Sequence, residues 1–198
     1  MDIVSRVQGI LLKPKEEWVK IKSEEISVNQ IFTSYAAILA AVPAVAHFIG
    51  RGLVGHRVPF VGWYRYGIGS AVIYMILFYV LALASVYVLG IIINALAPTF
   101  DSTQNPTNAM KLAVFSMTPS WVAGVLYIAP FLGVLVVLAS FYGFYILYLG
   151  FATPLMETPK EKILGYFVVS IVIAFLLMVV VSVVLGAIFT AGAVGGVY

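Results

Sequence analysis

Long uncharged runs separated by short charged segments are the clearest pattern in the 198-residue chain. A charged side chain at the centre of a bilayer costs roughly 2.5–3.5 kcal/mol, so the charges that bound each run indicate where the chain leaves the membrane. The uncharged runs are residues 26–50, 66–100, 112–156 and 163–198. A membrane-spanning helix needs about 20 apolar residues. The first, second and fourth runs therefore predict one span each, and the 45-residue third run predicts two.

The third run predicts a helical hairpin with its turn at Ala129-Pro130. Proline suits the first turn of the helix that follows, because that position needs no N–H hydrogen bond. The runs are apolar on all faces, whereas the strands of a membrane barrel alternate in polarity. We therefore predict an all-α, polytopic membrane helical bundle formed by residues 26–198. Its five transmembrane helices are expected at about 30–50, 69–94, 111–128, 131–152 and 163–190.

Residues 1–25 form a cytoplasmic N-terminal segment in this prediction, with apolar positions at helical spacing. Ile3, Val7 and Ile10 share one face, and Pro14 suits the start of a second helix with acids early and lysines late. We predict two short amphipathic helices lying on the membrane surface. The residues expected to contact that surface are Lys13, Lys15, Trp18, Lys20 and Lys22. The alternative is that they pack onto the protein's own spans, and both arrangements can hold together.

Composition excludes a soluble globular protein. Hydrophobic residues make up 63% of the chain and charged residues only 10%, against about 25% in soluble domains. The mean hydropathy of +1.08 agrees. The chain has no cysteine, so it has no disulfide framework and no thiolate nucleophile. Its net charge of +3 is typical of loops that face anionic headgroups, and we expect no nucleic-acid partner.

The lysines and arginines indicate the orientation of the bundle. With five spans, the side that carries the N-terminus holds eight of them and the opposite side holds three, Arg51, Arg57 and Arg65. Cytoplasmic loops carry the excess of basic residues. We therefore expect the N-terminus in the cytoplasm and the C-terminus outside.

A few polar side chains lie within the predicted spans. The candidates for an intramembrane polar or lipid site are His47, Asn94, Ser116, Tyr142 and Tyr145. The alternative is structural, with a neutral histidine and tyrosine hydroxyls bonded to neighbouring helices. Pro43 and Pro119 are expected to kink their helices or to join half-helices, with Ser and Thr hydroxyls near Pro119 binding the carbonyl that proline leaves free.

The sequence lacks the residues that intramembrane catalysis or ion-coupled transport uses. No Asp, Glu, Lys or Arg lies well inside a predicted span, and the chain has only two histidines. It has no HExxH motif, no P-loop and no dinucleotide fingerprint. We therefore expect no catalytic residue, no metal site, no cofactor and no enzymatic activity.

Several segments together resemble the Yip domain family, five-span membrane proteins named for interaction with Ypt/Rab GTPases. They read RVQGILLKPKEEWVKIKSEE, YAAILAAVPAVAHFIG, AVFSMTPSWVAGVL and LASFYGFYILYLGFATPLMETPKEKILGY. The most specific block contains Tyr142, Tyr145, Leu147, Gly150 and Tyr166. The resemblance is to the short prokaryotic branch. It implies five helices, an inner or plasma membrane location and an outward C-terminus. Eukaryotic members have a long cytoplasmic N-terminal region, whereas about 25 residues precede the first span of this chain, which argues against GTPase binding.

The sequence is compatible with two functions. The first is a non-enzymatic protein that organises the membrane or partner proteins, with the lipid bilayer and further copies of itself as partners. The alternative is a transporter or channel for a small neutral or lipidic solute. A transport site would bring Asn94, Ser116, Tyr142 and Tyr145 together at mid-membrane depth.

Overall fold

The protein is an all-α membrane bundle, as a computed structural model shows for residues 2–58, 62–153 and 155–195. Two short helices, α1 (Ile3–Leu12) and α2 (Pro14–Ser23), precede the bundle. Five helices are long and apolar enough to cross a membrane, which confirms the predicted number. They are α3 (Val28–Val54), α4 (Ile68–Phe100), α5 (Pro106–Ile128), α6 (Pro130–Ala152) and α7 (Lys160–Gly195).

The helix ends follow local capping rather than the charges alone. Asn105 accepts a hydrogen bond from the Asn108 amide at 3.0 Å, and Pro106 occupies the first turn of α5. Helix α5 therefore begins five residues before Lys111, the predicted start, and Lys111 lies inside the helix. The cap and the helix-compatible proline set the start of α5, and the ammonium group of Lys111 is hydrogen-bonded to two backbone carbonyls.

Pro43 does not join two half-helices, so that alternative is wrong. The α-helical part of α3, Ala37–Phe48, runs through Pro43 without a break and is flanked by π-helical turns at Phe32–Ala36 and Ile49–Val54. A π-turn widens the helix by one residue and adjusts its register.

A small β-ribbon that the sequence pattern did not predict lies between α3 and α4. Strands β1 (His56–Val58) and β2 (Gly62–Tyr64) are antiparallel, with Arg57 opposite Trp63. Gly55 and Gly62 have φ angles of 85° and 93°, a conformation that favours glycine. The ribbon leaves the bundle architecture unchanged.

Helices α5 and α6 pack as a close antiparallel pair. The hydroxyls of Ser120 and Ser140 lie 3.1 Å apart. A Cβ at Gly143 would lie 2.8 Å from the carbonyl oxygen of Ser116, so only glycine permits this approach. The α5–α6 groove, formed along this pair, receives the N-terminal segment.

The N-terminal helices belong to the core of the bundle. They form an antiparallel pair, named the N-terminal hairpin (residues 3–23), whose Ile10, Trp18 and Ile21 are each at most 1% exposed. These side chains pack in one cluster with residues of α3, α4, α5 and α6. By contrast, α7 is mostly exposed and apolar, and it is anchored by Tyr166, whose hydroxyl donates to the Ile93 carbonyl.

Replacing Gly150 with alanine should loosen the N-terminal hairpin. The new Cβ would lie 2.5 Å from a methyl group of Leu112 and 2.8 Å from the indole of Trp18. Overpacking destabilises a protein by about 1–3 kcal/mol. This loss exceeds the gain in helix propensity, because alanine stabilises a helix by about 1 kcal/mol relative to glycine. We expect a lower midpoint of thermal unfolding in detergent and faster tryptic cleavage after Lys15. Gly133→Ala is the matched control in α6, because its Cβ would only touch Tyr127 at 3.5 Å. Equal behaviour of the two variants would contradict this packing.

Candidate functional site

The N-terminal hairpin is built by local signals at its start and its turn. The carboxylate of Asp2 accepts hydrogen bonds from the amides of Val4 and Ser5 at 3.2 and 3.3 Å, which caps α1. The Ser5 hydroxyl also donates to this carboxylate, and these bonds lower the pKa of Asp2. Helix α1 ends at Leu12, and Pro14 starts α2 at a position where its missing N–H is not needed.

Trp18 fixes α2 in the α5–α6 groove. Its indole Nε1 donates to the carbonyl oxygen of Ile146 at 2.9 Å, and its ring meets Phe115 edge-on with centroids 6.4 Å apart. Gly150 leaves room for the ring because it has no side chain. The prediction that Trp18 contacts the membrane surface is therefore wrong. An indole that is apolar apart from one N–H suits this buried groove as well as an interface.

The turn of the hairpin reaches far along the groove. The hydroxyl of Tyr142 donates to the carbonyl oxygen of Leu11 at 2.8 Å. Helix α1 also packs against Thr118–Ala123, in the second half of α5. The hairpin therefore packs lengthwise against α5 and α6 rather than lying parallel to the membrane surface.

A buried ionic cluster lies between the hairpin and α5. The Arg6 guanidinium binds Glu17 at 2.6 Å and also Glu24, and it lies 5.6 Å from the centre of the Phe115 ring. The side chains of Arg6 and Glu17 are 6% and 7% exposed. Lys20 adds a third pair, 3.1 Å from Glu17. Buried charges persist only when paired, so this cluster holds α1 and α2 together on the bundle.

Lys111 completes the cluster from the side of the bundle. It is 3% exposed, and its ammonium group donates to the carbonyl oxygens of Ile21 and Glu24 at 2.8 and 2.7 Å. These carbonyls lie at the C-terminal end of α2, where a helix offers unpaired acceptors and a partial negative charge. Lys111 therefore caps α2 from a neighbouring helix.

The sequence contains a signal for this cluster that the charge gaps did not reveal. Arg6 lies on the same helical face as Ile3, Val7 and Ile10, and Glu17 directly precedes Trp18. A charge on the apolar face of an amphipathic helix indicates a buried partner. The segment outside the spans thus brings charges into the bundle.

The four lysines predicted for the membrane surface are exposed, and their contact with lipid stays a prediction. Lys13 and Lys20 are 70% and 67% exposed, and Lys15 and Lys22 are also exposed. Lys13 lies 3.8 Å from Glu16 at the turn of the hairpin.

His47 lies in an aromatic cage at the other end of the bundle. Its ring stacks on Tyr127 with centroids 4.0 Å apart and meets Phe78 and Tyr74 edge-on at 4.6 and 5.4 Å. The Arg51 guanidinium lies 4.4 Å from the centre of the Tyr74 ring. These contacts favour the structural interpretation of His47.

The other predicted intramembrane residues are Tyr142, Tyr145, Ser116 and Asn94. Tyr142 binds the hairpin, and the Tyr145 ring stacks on it with centroids 5.8 Å apart. Ser116 Oγ and Asn94 Oδ1 are buried without a hydrogen-bond partner among the described residues. Two open surface clefts are lined by other residues, one by Phe32, Leu83 and Tyr87 among others, and one by polar residues around Lys22 and Asn105.

Helix α5 breaks at Met117, beside Pro119. Proline at 119 leaves the Phe115 carbonyl, four residues earlier, without an N–H donor. The Thr118 hydroxyl donates to that carbonyl at 2.7 Å, and Tyr35 Oη lies 2.7 Å from Thr118 Oγ1. Tyr35 was not predicted as a site residue, since a buried tyrosine in an apolar run has no sequence signal for its partner.

Replacing Arg6 with methionine should destabilise the protein by about 3–5 kcal/mol, because Glu17 would remain buried without its main partner. The double variant Arg6→Met/Glu17→Gln should regain part of this loss, since no unpaired charge remains. Thermal unfolding in detergent measures both. Lys13→Met removes an exposed pair and is the control, with an effect within about 1 kcal/mol. An Arg6→Met effect as small as the control would exclude a structural role for the cluster.

Comparison with known proteins agrees with the resemblance seen in the sequence. Inner membrane protein YohC of Escherichia coli strain K12 is 27% identical to the chain over 171 residues, which cover 82% of this chain and 85% of the relative. The protein of the same name from Escherichia coli O6:H1 has the same identity and coverage. No solved structure matches the chain. The model of the Yip1 domain matches residues 9–190, and the chain therefore belongs to the Yip1 domain family.

Proposed function

We propose that this Yip1 family protein organises the membrane around it, without enzymatic activity. The observation that carries the proposal is the position of the N-terminal hairpin. Its exposed, lysine-bearing turn is fixed beside α6, whose neighbouring Phe141 is 61% exposed. A rigid charged element beside a lipid-facing helix acts on lipid packing rather than on a soluble substrate.

The use of polar groups within the bundle supports this function over solute transport. Several hydroxyls in the spans bind one another or backbone carbonyls, as in the Tyr35–Thr118, Ser120–Ser140 and Tyr142–Leu11 contacts. A transport site needs polar groups that converge on a cavity. Tyr142 and Tyr145 stack on each other, but His47 lies at the other end of the bundle, and neither open cleft is lined by a predicted intramembrane site residue. The transporter alternative is therefore the weaker one.

The proposed location is a prokaryotic inner membrane, with the N-terminus in the cytoplasm and the C-terminus outside. The relative is named an inner membrane protein, and the lysine and arginine count favours this orientation. The C-terminal residues 196–198 lie outside the described part of the chain. The proposed partners are the bilayer and further copies of the chain. A GTPase partner is disfavoured, because residues 3–23 are folded against the bundle.

The purified protein in giant vesicles should concentrate in thin membrane tubes pulled from them, because a fixed element in one leaflet favours curvature. Fluorescence of the labelled protein relative to a lipid dye measures this enrichment. Gly150→Ala should lower it, and Gly133→Ala should not. An equal protein-to-lipid ratio on tube and vesicle would contradict the proposal. Solute uptake into proteoliposomes that exceeds uptake into empty vesicles, and falls in Tyr142→Phe, would favour the transporter instead.

The orientation has a direct test, because the chain has no cysteine of its own. We expect Ser23→Cys to react with an impermeant maleimide only in inverted membrane vesicles, and Ser70→Cys only in cells with a permeable outer membrane. Both serines are exposed, and they lie at opposite ends of the bundle. The reverse labelling pattern would overturn the proposed topology.

A further inference from the structure

The turn of the N-terminal hairpin lies far from the end of the bundle where the hairpin begins. Helix α6 ends at Ala152 on that side, and Tyr142, which binds Leu11, lies ten residues before it. At 1.5 Å per residue, this places the turn about 15 Å along the helix from its end. The packing of α1 against Thr118–Ala123 gives the same level, because α5 runs from Pro106 to Ile128.

The turn is exposed and charged. Leu12 is 77% exposed, and Lys13 and Glu16 are 70% and 66% exposed. Lys15 forms no ion pair with any residue that the structure describes. The turn thus carries two exposed lysines, one exposed glutamate and an exposed leucine. This composition is typical of an element at the membrane interface, where the leucine contacts the acyl chains and the lysines bind the phosphate groups of the lipids.

The lipid-facing surfaces of the bundle differ in length. On α7, large exposed apolar residues run from Leu164 to Ile188, about 36 Å at 1.5 Å per residue. On α6, they run from Phe131 to Tyr148, about 26 Å, and the turn lies within this length, at the level of Tyr142. A bilayer of about 30 Å fits α7 but would enclose the charged turn beside α6. Bilayers respond to a charge at this depth by thinning locally, so that headgroups and water reach the charge.

We propose that Leu12, Lys13 and Lys15 bind anionic phospholipid headgroups and hold their leaflet inward beside α6, so that the bilayer is locally thinned at this face. The inference rests on the proposed membrane-organising function and names its lipid partner and its mechanism. A bilayer of normal thickness at α7 and a thinner one at α6 produces a slope across a single molecule. Such a slope deforms the leaflet on the side of the N-terminus.

Two phenylalanines allow the thickness to be measured at both faces. Tyr148 contacts Phe167, and Phe151 contacts Tyr166, so α6 and α7 run antiparallel in a fixed register. This register places Phe141 of α6 level with Phe175 of α7, and they are 61% and 53% exposed. Phe141→Cys and Phe175→Cys, labelled with a fluorophore, report the depth of each face in the full-length chain.

The experiment compares quenching of each label by nitroxide on the lipid headgroup and by nitroxide at mid-chain. The vesicles contain phosphatidylcholine with or without phosphatidylglycerol. We expect the label at 141 to be quenched mainly from the headgroup and the label at 175 mainly from mid-chain, with the larger difference in phosphatidylglycerol. Mid-chain quenching at both positions would overturn the proposal. Weak quenching of the label at 141 by either lipid would also overturn it and would indicate that a second copy covers this face.

Charge variants identify the groups that hold the lipid. Lys13→Gln/Lys15→Gln should reduce the preference for phosphatidylglycerol at position 141 by up to about thirtyfold, since each lysine near an anionic surface contributes about fivefold. Lys160→Gln/Lys162→Gln removes the same charge from exposed lysines away from the turn and should leave the preference unchanged. Equal effects of the two pairs would contradict a site at the turn. Enrichment on membrane tubes without a depth difference would leave the proposed function standing and exclude thinning as its mechanism.

Discussion

The guanidinium of Arg6 is buried between the N-terminal hairpin and α5, and its charge must be balanced within that space. Glu17 and Glu24 provide the balance, and both belong to the segment that follows α1. Once Arg6 is buried, α2 must run antiparallel to α1 and present its carboxylates to the same space. The hairpin is thus a consequence of charge neutralisation in a low-dielectric setting.

The groove that receives the hairpin depends on residues with little or no side chain. Glycines at 143 and 150 allow α5 to approach α6 and allow an indole to lie against the α6 backbone. The donor of that indole then meets the carbonyl of Ile146, one turn before Gly150. The α6 part of the block that carries the family resemblance, from Tyr142 to Gly150, is therefore the surface on which the hairpin docks. Tyr142 binds the turn of the hairpin at one end of this surface, and Gly150 leaves room for the Trp18 ring at the other.

The number of spans could be predicted from the sequence, because an unpaired charge in hydrocarbon is more costly than any single packing choice. The same reasoning could not predict that Arg6, Glu17 and Lys111 are buried, since pairing cancels their cost and only the folded chain shows the pairs. The amphipathic ring of Trp18 predicts an interfacial position, but a groove with one free acceptor satisfies the same ring equally well. The contact of Tyr35 could not be predicted either, because its partner Thr118 is 83 residues away and only the folded chain brings them together.

Two anchors fix the hairpin, so that its length determines the position of the charged turn in the membrane. Lys111 holds the carbonyls at the C-terminal end of α2, and Tyr142 holds the carbonyl of Leu11 at the turn. Helix α2 has 10 residues and so measures about 15 Å between these anchors. Each residue added to or removed from both helices would move the charged turn by about 1.5 Å along the groove. Because the anchors belong to rigid spans, the number of residues in the hairpin sets the depth of the turn in the membrane. When bilayer thickness changes, the lipids around the turn must therefore deform, since the hairpin cannot move.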